Sequence, residues 1–248
     1  MPVGRTHLDL NVVSHCNFAC TNCSHASPIQ PKWEMSLGEI LRDLTALKAV
    51  FRCTNLNLVG GEPTLHPQLI EIMRLVKEIR IDDQTHVITN GSRLPYMPEE
   101  FWQELEFIKV SIYPKLDKSI PDLVRKKSEQ YGFGHEMTEF NEFYQQLEPI
   151  PDGSSFHACK WKTDCYTVHK GHFYLCPQST FFPKSILGLP ENVDGLPLEG
   201  ITEEKLRAFM DRTEPLNACR TCRGYTKLVP WTESRGREKW LENSKITP

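Results

Sequence analysis

The chain predicts an α/β fold with a mostly parallel sheet. Two observations carry this. Between residues 7 and 140, short apolar runs of strand character alternate with segments of helical apolar period. Three of those strands run directly into loops rich in cysteine, glycine or asparagine. Parallel sheets gather their chemistry at the C-terminal ends of strands, so three such loops point to one mouth.

The elements follow in order. His7 to Val13 reads as a strand, with Leu8, Leu10 and Val12 alternating with polar residues. A loop from Ser14 to Lys32 carries three cysteines. Ser36 opens a helix, with Glu39 completing a capping box and Leu37, Ile40, Leu41, Leu44, Leu47 and Phe51 as its apolar stripe. Asn55 to Val59 is a strand, ended by Gly60-Gly61-Glu62-Pro63. Pro67 suits the first turn of a helix with Leu69, Ile72, Met73, Val76 and Ile79 on one face. Thr85 to Thr89 is a third strand, closed by Asn90-Gly91. A helix near Pro98 to Leu105, a strand from Phe107 to Tyr113, a helix from Pro121 to Tyr131 and a strand near His135 to Phe140 complete this part. Pro149, Pro151, Asp152 and Gly153 then mark a boundary. Beyond it Tyr166–His169 and His172–Leu175 flank Lys170-Gly171 as a hairpin. Pro177 to Leu198 reads as Pro- and Gly-rich, and Thr202 to Asp211 as a short helix.

Twenty-nine Lys and Arg against 32 Asp and Glu give a net charge of −3 over 248 residues. A non-specific nucleic-acid binder would show a basic excess. No run approaches the ~18 apolar residues of a membrane span, and the first residues lack the pattern of a signal peptide. The expectation is a cytoplasmic protein in a reducing compartment, so the nine cysteines read as metal or redox chemistry rather than disulfides. Cys16, Cys20 and Cys23 have the spacing C-x3-C-x2-C. Three thiolates on one loop fit three corners of a cubane iron–sulfur cluster and leave one iron open. A zinc loop with His25 as fourth ligand is the other reading of the spacing.

The whole set resembles the radical S-adenosylmethionine (radical SAM) enzymes. The cysteine triad follows the first strand, Gly60-Gly61-Glu62-Pro63 the second and Thr89-Asn90-Gly91 the third, and Ser111 lies on the fourth. The resemblance covers roughly residues 7 to 140 and implies a partial (β/α) barrel over residues 1–148. It implies a [4Fe–4S] cluster on Cys16, Cys20 and Cys23, whose open iron chelates S-adenosyl-L-methionine. Gly60, Gly61 and Glu62 would hold the methionyl ammonium, and Thr89, Asn90 and Ser111 the ribose and carboxylate. The aromatic residue that the family often has before the third cysteine is Asn22 here.

Residues 149–248 resemble a small auxiliary-cluster domain of the SPASM/twitch type. Cys159 and Cys176 flank Gly171 as in that family's C-x(9–15)-G-x4-C pattern, and Cys219 and Cys222 form a later C-x2-C pair. The resemblance implies a second [4Fe–4S] cluster on Cys159, Cys176, Cys219 and Cys222; a zinc ribbon is the alternative for the same four. Cys53 reads as a small buried residue. Cys165 would be a free thiol. By analogy with radical SAM epimerases it is a candidate hydrogen-atom donor, with a packed thiol or alternative ligand as the other reading.

The resemblance to twitch-type aminocyclitol dehydrogenases and aminosugar epimerases implies C–H abstraction from a small hydroxylated substrate, leading to oxidation or epimerisation. The electron would come from a donor such as flavodoxin or ferredoxin. Neither nucleic acid nor membrane is expected as a partner. The start of the chain close to the first strand leans away from a maturase of ribosomally made peptides. A non-enzymatic iron–sulfur or zinc module is the reading from another class. Trp161, Trp231, Trp240, Tyr225, His157, His169 and His172 stand as pocket or core residues, with no base named. Arg220, Arg223 and Arg235 stand as phosphate contacts or a solvated surface.

Overall fold

The computed structural model describes residues 3–224 and 227–244. The elements are β1 (Val3–Val13), α1 (Leu37–Lys48), β2 (Phe51–Gly60), α2 (Leu69–Ile79), β3 (Gln84–Thr89), α3 (Glu99–Gln103), β4 (Phe107–Ile112), α4 (Ile120–Tyr131) and β5 (Gly134–Glu139). There follow β6 (Glu142–Tyr144), α5 (Ser155–Ala158), β7 (Tyr166–His169), β8 (His172–Tyr174), α6 (Pro177–Ser185), β9 (Leu196–Pro197), α7 (Glu203–Met210), β10 (Leu228–Pro230) and α8 (Arg237–Asn243).

One eight-stranded sheet runs in the order β5-β4-β3-β2-β1-β7-β8-β9. β1 to β5 are parallel neighbours, as helical crossovers demand. Five parallel strands with crossover helices make a partial barrel of the expected class. β7 pairs with β1 in parallel, Leu8 opposite Tyr166. The predicted hairpin therefore extends the same sheet on the free edge of β1. Its turn is pinned because the Gly171 N–H donates to the buried Asp43 carboxylate at 2.8 Å. β6 and β10 form a separate antiparallel pair.

Local chemistry explains the start of α1. Ser36 Oγ accepts from the Glu39 N–H at 3.3 Å, while Glu39 returns a bond to the Ser36 N–H at 2.8 Å. Ile40, Leu44 and Leu47 face the core, but Leu41 is half exposed and Phe51 belongs to β2, so the predicted stripe is narrower. All five predicted apolar positions of α2 are buried. Residues 177–198, rich in Pro and Gly, nevertheless open with a helix. α6 has Pro177 in its first turn and is buried nearly all round, which erases the amphipathic period. Among the described residues no helix is long and apolar enough to cross a membrane.

Candidate functional site

The loops after β1, β2 and β3 and the end of β4 meet at the C-terminal edge of the sheet around a cavity of about 650 Å3. Cys16, Cys20, Cys23, Gly60, Gly61, Glu62, Thr89, Asn90 and Ser111 all line it. The aromatic rings of Phe18, Tyr113, Phe140 and Phe143 form other walls, and the rim carries Glu139 and Glu142. Asn22, whose backbone sits in the left-handed region at φ 62°, lines the same cavity as these rings.

The three thiols share one environment. Burial pushes the Cys16 thiol up to about 12 and raises those of Cys20 and Cys23. Cys16 Sγ accepts the Phe18 N–H at 3.3 Å and a longer bond from Asn90 Nδ2 at 3.6 Å. His25 Nδ1 bonds Ser24 Oγ at 3.2 Å, and burial holds its imidazole down at about 4. Among the described residues no three Cys, His, Asp or Glu side chains stand close enough together to share one metal ion.

Glu62 holds the mouth together. It is fully buried. Oε1 accepts from the Thr64 N–H at 3.1 Å, from the Thr64 hydroxyl at 2.6 Å and from the Thr89 hydroxyl at 2.6 Å. Oε2 accepts from the Asn90 N–H at 2.7 Å. The Thr89 oxygen also accepts the Gly91 N–H at 3.0 Å, and the Asn90 amide bonds Asn17, Ser92 and Cys16. These side chains hold one another, and Glu62, Thr89 and Asn90 all line the cavity. Ser111 and Tyr113 both stand on the cavity wall.

The two glycines answer a steric demand. Gly60 adopts φ +138°, and a Cβ there would lie 2.0 Å from the Val13 carbonyl oxygen. A Cβ at Gly61 would lie 2.0 Å from the His15 oxygen. Their absence lets the Gly61 N–H reach Val13 O at 2.7 Å and the Glu62 N–H reach His15 O at 3.0 Å. The close approach is thus to the cysteine loop itself.

What covers that loop is not visible in any local pattern of the sequence. Residues 231–244 lie along it. The Thr21 N–H donates to Thr232 O at 2.9 Å and the Ser234 N–H to Ala19 O at 2.8 Å. Trp231 Nε1 donates to Cys20 Sγ at 3.2 Å, and Trp240 Nε1 to Cys20 O at 2.9 Å. Glu233 accepts from the Ala19 N–H at 2.8 Å.

Cys159, Cys176, Cys219 and Cys222 line a second, small cavity of about 30 Å3 with Phe156, Leu216 and Ala218. Cys222 Sγ accepts the Gly224 N–H at 3.4 Å. Burial raises the thiols of Cys176, Cys219 and Cys222, and neighbouring thiols add to it. Cys165 lines neither cavity. Its thiol donates to Asp9 Oδ2 at 3.7 Å, and burial pushes the Asp9 carboxyl up to about 6. Cys165 therefore sits against Asp9 of β1, with Cys176 among its electrostatic neighbours. Cys53 is buried in the main core. His169 is buried between Trp33 and Phe181, and Arg223 pairs with Glu148. Tyr225 lies outside the described residues.

The radical SAM superfamily model matches residues 10–128. The GTP 3',8-cyclase of Rippkaea orientalis is 32% identical over 114 residues, which is 43% of this chain and 34% of that protein. The molybdenum cofactor biosynthesis protein 1 of Drosophila melanogaster is 30% identical over 88 residues, 35% of this chain and 16% of that protein. The chain thus spans about a third or less of these curated relatives. Among solved structures, BtrN in complex with AdoMet and 2-DOIA superposes with a TM-score of 0.56 at 13% identity, covering 86% of this chain and 85% of BtrN. At that identity the likeness is one of fold.

Proposed function

We propose that this chain, which carries a radical SAM superfamily domain over residues 10–128, is a radical SAM enzyme for a small hydroxylated substrate such as a sugar, aminosugar or cyclitol. The observation that carries the reading is the meeting of Cys16, Cys20 and Cys23 with the Gly60–Gly61 turn on one cavity. Three soft donors on one loop, all lining the cavity, fit a cluster that brings its own irons and sulfides. Bound there with S-adenosylmethionine, the [4Fe–4S] group supplies reductive cleavage to methionine and a 5′-deoxyadenosyl radical that takes hydrogen from a C–H bond. A second [4Fe–4S] cluster on Cys159, Cys176, Cys219 and Cys222 belongs to the same proposal, supported by their shared cavity.

The chain's own residues position and exclude. The Glu62 clamp fixes the loops after β2 and β3 against the cysteine loop. Phe18, Tyr113, Phe140 and Phe143 offer flat apolar faces to adenine or a sugar ring and keep water from the reacting carbon. The cavity bears on substrate class. Among the described residues no lysine or arginine lines it, while Glu139 and Glu142 do. A triphosphate would meet carboxylates without compensating cations, so the GTP chemistry of the relatives is not carried over. A neutral polyol or an amine fits. The electron would come from a donor such as flavodoxin or ferredoxin, in a reducing cytoplasm where unpaired cysteines persist.

Anaerobic reconstitution tests the reading. About eight irons per chain and 5′-deoxyadenosine on reduction with S-adenosylmethionine support it; no 5′-deoxyadenosine overturns it. Deuterated solvent then separates outcomes. Deuterium fixed at carbon marks epimerisation, and a ketone or aldehyde marks oxidation.

A further inference from the structure

The cysteine loop is held from a distance of more than two hundred residues along the chain. Cys20 and Glu233 form an antiparallel bridge, flanked by the Thr21–Thr232 and Ser234–Ala19 backbone bonds. The same segment places an indole on the sulfur. Trp231 is fixed by its own N–H to Asn141 O at 2.9 Å and by stacking on Tyr113 at 5.5 Å between ring centroids. Its Nε1 then reaches Cys20 Sγ at 3.2 Å. Trp240, fully buried, fixes the Cys20 carbonyl instead. Beside them Glu233 is paired by Lys115 Nζ at 2.6 Å, which offsets a carboxylate that would otherwise oppose added negative charge at Cys20.

We propose that residues 231–244 are part of the cluster site, and that Trp231 is a positioning residue whose N–H···S bond to Cys20 raises the reduction potential of the cluster. This rests on the assignment of a cluster to Cys16, Cys20 and Cys23. An N–H dipole aimed at a ligand sulfur stabilises the extra electron of the reduced state, and hydrogen bonds to sulfur are one of the protein's means of setting cluster potentials. Trp240 has a different part. Its indole N–H goes to the loop backbone at the Cys20 carbonyl.

Trp231→Phe keeps the ring and removes the donor. The readout is the midpoint potential of the EPR signal that changes on adding S-adenosylmethionine, which separates this cluster from any other. The expected result is unchanged iron and a midpoint lower by about 59 mV, a tenfold harder one-electron reduction. Trp240→Phe is expected to lower iron retention and leave the midpoint of the remaining cluster in place. An unchanged midpoint in Trp231→Phe with the cluster loaded overturns the inference alone. A wild-type protein that takes no S-adenosylmethionine-responsive cluster overturns it together with the functional reading. If Trp231→Phe does not fold, indole-15N labelling of Trp231→Phe's parent, the wild-type holoprotein, alongside labelled Trp240→Phe, decides. A 15N coupling on the reduced cluster that survives in Trp240→Phe supports the bond, and its absence overturns it.

Discussion

Glu62 Oε2 accepts the backbone N–H of Asn90 at 2.7 Å, so one buried carboxylate ties the loop after β2 to the loop after β3. Its other oxygen holds Thr64 and Thr89. Glu62→Ala leaves two backbone N–H groups and two hydroxyls without their acceptor in a buried place. Each such loss costs about 1–3 kcal/mol, partly recovered by relaxation. The expected outcome is a loss of about 3 kcal/mol in urea unfolding, with reduced iron uptake. Glu62→Gln, which keeps the volume and loses acceptor capacity, should fall between wild type and Ala.

The glycines give a sharper contrast. A Cβ at Gly61 would meet a backbone oxygen at 2.0 Å, and no side-chain rotation relieves that. Gly61→Ala must part the turn from the cysteine loop and break the Glu62–His15 backbone bond. The expected result is a loss of more than about 3 kcal/mol and failure to retain iron. Gly38 is the control. It lies near the start of α1 with open space where a Cβ would go. Gly38→Ala should be neutral or stabilising by up to about 0.5–1 kcal/mol by urea unfolding.

Local and repeated signals made the core legible in the sequence. The Ser36–Glu39 capping box and the apolar face of α2 are written within a few residues, and the loops after β1, β2 and β3 share a mouth because parallel strands force it. What the sequence did not show is long-range. Nothing local tells β7 to join β1, or Trp231 to seek Cys20. The hydrogen bonds of Glu62 were hidden for a related reason. Its type and place suit a ligand contact, but its four donors come from three residues that the sequence treats separately. α6 was not legible because a helix buried nearly all round has no polar face to set its period.

Asp9 should make stability depend on pH. Burial raises its carboxyl from 3.8 to about 6, against hydrogen bonds from Asn57 and Cys165 that favour the anion. The folded state therefore binds this proton more tightly than the unfolded chain. Its contribution is full below the unfolded value near 4 and is lost as pH rises through about 6. Between pH 5 and 7.5 the loss is about 1.4 kcal/mol. His25, His86 and His169, all lowered by burial, slope the other way. The measurement is therefore the difference between wild type and Asp9→Asn at each pH. Asp9→Asn should gain on wild type by about that amount as pH rises across the window; a constant difference would show that Asp9 stays ionised when folded.

The remaining assignment concerns two cysteines six residues apart. Cys159 lies on the small cavity with Cys176, Cys219 and Cys222, whereas Cys165 turns to Asp9. Four thiols on one cavity fit a closed cluster, and a thiol whose hydrogen is already donated to a buried carboxylate fits a packed residue. Serine at Cys159 keeps the volume and replaces a soft donor by a hard one, so a cluster there should be lost or bound weakly. Iron in Cys159→Ser is expected to fall from about eight to about four per chain, with 5′-deoxyadenosine formation retained because the triad of Cys16, Cys20 and Cys23 is untouched. Cys165→Ser should keep about eight irons, since the serine hydroxyl can still donate to Asp9. The reverse pattern, with iron lost in Cys165→Ser and kept in Cys159→Ser, would exchange the two assignments and require β7 to leave its register on β1 to carry the ligand across.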